Sequence, residues 1–104
     1  MIKIDGKEYE LKYNLKRIRL IEEDTGKSAI EMLVGRNKSG LMMVSDMAAF
    51  FKYGVKEAGA DAFLPPKQGE DLFEQYLIEA GWGDVSLAIQ NQLQHDVPFM
   101  FPGD

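Results

Sequence analysis

The 104-residue sequence contains no cysteine. That excludes disulfides, thiolate zinc sites and cysteine nucleophiles, and it fits a reducing compartment. Long apolar runs are missing too. None approaches the roughly 20 residues that span a bilayer, and the opening MIKIDGKEYE has no apolar signal core. The expectation is a single-domain chain in the cytoplasm, with no membrane partner. Positive charge is in deficit. Twelve Lys and Arg against 17 Asp and Glu give a net charge of −5, and the sequence pI is about 4.8. Phosphate contacts dominate affinity for nucleic acid, so this balance argues against DNA or RNA as a partner. The one basic cluster, Lys12, Lys16, Arg17 and Arg19, runs straight into Glu22, Glu23 and Asp24. It reads as a mixed-charge helix face. Histidine occurs once, at position 95.

What is present patterns well. Ile2 and Ile4 alternate with Lys3, and Tyr9, Leu11 and Tyr13 alternate with Glu10 and Lys12. Between them Asp5-Gly6 suits a type I′ turn, whose two central residues need positive φ. A two-residue loop pairs Lys3 with Glu8 and Ile2 with Tyr9, leaving Ile2, Ile4, Tyr9, Leu11 and Tyr13 on one apolar side. A lone hairpin is marginal in water, so that side needs a support. Asn14 can cap a helix over about 15–24, with Leu15, Ile18 and Ile21 at helical spacing and Leu20 widening the stripe. Gly26 suits the left-handed position past its end. Ser28 to Glu31 reads as a capping box for a short helix with Ile30, Leu33 and Val34 inward. A polar loop, 35–40, precedes a long helix over about 41–58. Its stripe is Leu41, Val44, Met47, Ala48, Phe51 and Val55, with Met43 and Phe50 to the side. Pro65-Pro66 cannot continue a helix. A fourth helix follows over about 68–80, Gly81-Trp82-Gly83 breaks it, and Asp84 caps a fifth carrying Val85, Ala88, Ile89 and Leu93.

The predicted fold is therefore mainly α. An N-terminal β-hairpin over about 2–13 leads into a compact bundle of about five helices within 14–95, and an apolar tail occupies 96–104. Val97, Phe99, Met100 and Phe101 sit between two prolines. The tail either folds back on its own core or docks on another chain.

Chemical motifs are few. Gly26-Lys27-Ser28 looks like the end of a P-loop, but that motif needs a glycine five residues before Gly26, where Ile21 stands, and a preceding strand. Glu22, Glu23 and Asp24 would repel phosphate there. His95 adjoins Asp96, yet neighbouring side chains on a helix do not face each other, and no G-x-S-x-G occurs. A cation at His95 suits the end of the last helix. Glu70, Asp71 and Glu74 are expected in a helix's first turns for the macrodipole alone. No calcium-loop spacing is present, and nothing selects a carboxylate pair. The reading assigns no catalytic residue, cofactor or metal. The signals that remain concern binding. Methionine adapts to varied apolar surfaces. Met42 and Met43 are adjacent at a helix start, so they point to different sides and one lies exposed or at an interface. The candidate partner-binding residues are Met42, Met43, Phe50, Phe99, Met100 and Phe101.

The order of elements in IDGKEYELKYNLKRIRLIEEDTGKSAIEML, residues 4–33, resembles the tail assembly chaperones of long-tailed bacteriophages and their prophage relatives. The remainder is similar in size, acidity and helix count. The resemblance implies a non-enzymatic, self-associating protein of the bacterial host cytoplasm. It would hold the long, aggregation-prone tape measure protein while the tail tube polymerises around it. In many phages a longer form of such chaperones arises by ribosomal frameshifting; the apolar ending VPFMFPGD departs from the simplest version of that pattern. The competing expectation is a small structural phage protein, a head–tail connector or a tail component.

Overall fold

A computed structural model describes residues 2–34 and 42–101. The predicted loop 35–40, the helix start at Leu41 and the last three tail residues lie outside the described residues. The hairpin forms in the predicted register. β1, Ile2–Ile4, pairs antiparallel with β2, Lys7–Leu11, with Ile2 opposite Tyr9 and Lys3 opposite Glu8. Asp5 and Gly6 take φ of 52° and 77°, as a type I′ turn demands. All five residues of the predicted apolar side are buried.

α1, Leu15–Thr25, starts where Asn14 Oδ1 accepts from the Arg17 N–H at 2.9 Å. It ends at Gly26, whose φ of 70° belongs to the left-handed region. α2, Ala29–Val34, is capped by Ser28 Oγ, which accepts from the Glu31 N–H at 3.0 Å. The inward face of α2 differs from the expectation. Ala29 and Met32 are buried, whereas Ile30 and Val34 are exposed. A six-residue helix is little more than one turn and a half, so its apolar spacing does not fix which side packs.

The main correction concerns the long helix. α3 covers Val44–Gly54, not 41–58. Val55 turns extended, with φ −85° and ψ 140°, and opens β3, Val55–Glu57. β3 pairs antiparallel with the free edge of β2, Leu11 opposite Val55 and Tyr9 opposite Glu57. The helix stops because the sheet competes for it. Lys12 N–H donates to the Gly54 carbonyl at 2.8 Å, and Ala58 N–H to that of Glu8 at 3.1 Å. The Tyr13 ring also fills the space a side chain at 54 would need; a Cβ there would lie 2.6 Å from Tyr13 Cε1.

α4, Pro66–Ala80, begins two residues earlier than expected, because proline is tolerated in a helix's first turn. α5, Trp82–Asp96, begins at Trp82 rather than after an Asp84 cap. Gly81 closes one helix and opens the next, donating to Leu77 O and accepting from Val85 N–H. Asp84 lies in the first turn, where its charge suits the dipole. A 3₁₀ turn, Pro98–Met100, follows.

α3 is central, with α1, α4 and α5 packed against it. Met47, Phe50, Phe51, Ile89 and Leu93 are completely buried. Burying such a side chain contributes roughly 1.5–3 kcal/mol. Phe51 packs against both Phe73 and Tyr76 of α4, with ring centroids 5.8 and 5.7 Å apart. Lys52 joins α3 to Asp24 of α1 at 3.2 Å and reaches Glu70 of α4 at 4.0 Å.

Candidate interaction site

The six residues proposed as partner-binding separate in the structure. Phe50 has no exposed surface; it packs edge-on against Tyr13, whose hydroxyl donates to the Phe50 carbonyl at 2.8 Å. Met42 is 2% exposed. Both are core of the folded chain, not surface. Phe50 follows from its place in the inner stripe of α3, wider than a sequence reading of one helical face allowed. Met43 is 52% exposed, so the adjacent pair does point two ways. Within the tail, Val97 is buried and Met100 and Phe101 pack on the core, while Phe99 is 68% exposed. The described tail therefore folds back, with one aromatic left out.

Around Met43 an apolar surface is built from two elements. The Trp82 indole N–H donates to the Met42 carbonyl at 2.6 Å, and Met42 N–H donates to Ser86 Oγ at 3.2 Å. These two bonds bracket residue 42 with the first turns of α5. They hold the indole beside the Met42–Met43 peptide. Trp82 keeps 44% of its surface and Val44 keeps 43%. Three large apolar side chains thus stay exposed within two residues of the Trp82–Met42 bond or at its donor, and the aromatic one is anchored by its polar edge. On another side the first turn of α3 is fixed by Asp46, whose buried carboxylate meets Lys27 Nζ at 2.6 Å. Sequence reasoning missed Trp82, treating it as part of a helix break. The available signal was a lone tryptophan at a helix start, outside any apolar stripe. Phe99 is not part of this surface. It lies past the far end of the 15-residue α5, roughly 22 Å from its start at 1.5 Å per residue.

The other motifs resolve into structural contacts. Gly26 ends α1, Lys27 pairs with Asp46, and Ser28 caps α2, while Glu22 Oε2 accepts from the Ala29 N–H at 2.7 Å. The element before GKS is a helix. His95 and Asp96 do meet, contrary to the expectation: Nδ1 lies 2.9 Å from Oδ1. The helix ends there, and the spacing rule for helix interiors no longer separates them. Asp96 also accepts from the Tyr13 N–H at 2.9 Å and from Gln92 Nε2 at 3.0 Å. Burial would raise its carboxyl, but the donors Gln92, His95 and Tyr13 outweigh this and hold it below the usual carboxylate range. Burial pushes the Tyr13 phenol well up, and the Asp96 charge adds to it. The cleft here is lined by Ile2, Glu10, Leu11, Lys12, Gln92, His95 and Asp96, with no hydroxyl or thiol among them for the imidazole to activate. Its second carboxylate, Glu10, accepts from Lys56 Nζ at 3.0 Å and Gly59 N–H at 3.1 Å.

Among the described residues no three His, Cys, Asp or Glu side chains converge on a possible metal position. No helix among them is long and apolar enough to cross a membrane. No family model, curated protein or solved structure matches this chain.

Proposed function

We propose that this chain is a non-enzymatic assembly chaperone of the phage tail type, which binds amphipathic helical segments of a tape measure protein and keeps them in solution. The observation that carries the reading is the fixed apolar surface of Met43, Val44 and Trp82. An anchored tryptophan, half open to solvent beside an adaptable methionine, is the kind of group that dominates protein–protein affinity. An amphipathic helix would lay its apolar face on these side chains. The net charge of −5 keeps a protein with such a surface dispersed. Phe99 offers a second, separate contact for a long client.

The test is co-expression with a long helical protein of the tape-measure type. Retention of that protein in the soluble fraction, in complex, is the expected result. A client that stays insoluble while this chain elutes alone would overturn the reading and favour a structural tail or connector component.

A further inference from the structure

Two exposed helix faces carry complementary charge patterns. On α1 the outward stripe is Lys16, Arg19 and Glu23, at spacings of three and four. Leu15 and Leu20 flank it and line a shallow groove with the same three residues. On α4 the outward stripe, read backwards, is Glu74, Asp71 and Lys67, also at spacings of three and four. One turn beyond Glu74 stands Ile78, which is 84% exposed and the most open large apolar side chain among the described residues. Run antiparallel, the stripes match residue for residue: Lys16 with Glu74, Arg19 with Asp71, Glu23 with Lys67. Ile78 then lies one turn past the Lys16–Glu74 pair, level with Lys12 and beyond the groove. None of these six charged side chains has an ion-pair or hydrogen-bond partner of its own among the described residues. Both helices pack on α3, and no substantial contact joins them to each other. Their outer faces are therefore separate surfaces of one molecule and cannot pair within it.

We propose that the α1 face of one copy binds the α4 face of a second copy, with the helices antiparallel and the three charge pairs in register. The partner is this chain itself, because each copy carries both halves of the match. Such a contact is heterologous, so it builds a ring or an open filament rather than a two-fold dimer. It does not depend on the chaperone reading, since no residue of the Met43–Trp82 surface takes part. Exposed pairs are individually weak. The contact is accordingly weak and concentration-dependent.

Sedimentation velocity of the full chain tests it. Mass should rise with concentration, and association should weaken about tenfold between about 50 and 500 mM salt, as screening shortens the reach of exposed charges. Lys16→Glu with Arg19→Glu should give a monomer, as should Asp71→Lys with Glu74→Lys. Mixing the two variants should restore association, because each then meets a face of opposite sign. All four positions are exposed, and circular dichroism checks that each variant folds. A wild-type chain that is monomeric throughout, or an assembly indifferent to salt, would overturn the proposal. So would variants that still associate alone or fail to recover on mixing.

Discussion

Asp96 shows how much one side chain carries. It is nearly buried, and it receives the Tyr13 N–H, Gln92 and His95, so the end of α5 is tied to the hairpin's exit. Hydrogen bonds to a charged acceptor contribute about 1.5–3 kcal/mol, so Asp96→Asn should cost about 2 kcal/mol at neutral pH. The sign of the pH effect follows from the lowered carboxyl. Its stabilisation is complete above the unfolded-chain value of about 3.9 and is lost as pH falls through the lower folded value. Urea titrations from neutral pH down to about 3 should show the wild type losing its advantage over Asp96→Asn at the acid end. Gly54 makes the opposite argument about space. Alanine is better than glycine in a helix by about 1 kcal/mol, yet its Cβ would sit 2.6 Å from the buried Tyr13 ring. Overpacking costs about 1–3 kcal/mol, and here both partners are held. Gly54→Ala should therefore lower the melting temperature, whereas propensity alone would raise it.

At the scale of elements, the caps were the most legible part of the chain. Asn14, Gly26, Ser28 and Asp5-Gly6 each act within a few residues of their own position, so local grammar suffices to place them. Asn14→Ala should lower unfolding free energy by about 1 kcal/mol in denaturant titration, the usual cost of losing an N-cap. β3 was not legible. Val55-Lys56-Glu57 continues the apolar spacing of α3, and only the unpaired edge of β2, more than forty residues earlier in sequence, draws it into the sheet. Hydrogen exchange should find the Lys12, Ala58 and Leu64 amides protected, since they bond Gly54, Glu8 and Val55 carbonyls. Free exchange at all three would return this segment to the helix. The candidate surface was half legible. Two adjacent methionines had to diverge, which pointed to Met43. Trp82 was hidden because its role rests on a bond to residue 42, on a different element.

Among the described residues a three-stranded sheet accompanies α1, α4 and α5 packed on α3, and two sets of exposed apolar side chains flank α5. Met43, Val44 and Trp82 occupy one end of α5 and Phe99 the other. In the proposed function the first of these spots receives a helical client. Trp82 is the chain's only tryptophan, so its fluorescence reports on that spot alone. The most direct measurement is its emission during titration with a tryptophan-free amphipathic helical segment of the proposed tape-measure-type client. A saturable blue shift is expected as the 44% of Trp82 now open to water is covered. Met43→Ala should weaken this binding about tenfold, as loss of a central contact does. Emission that stays constant while the segment is demonstrably bound would overturn this site and move the client elsewhere on the surface.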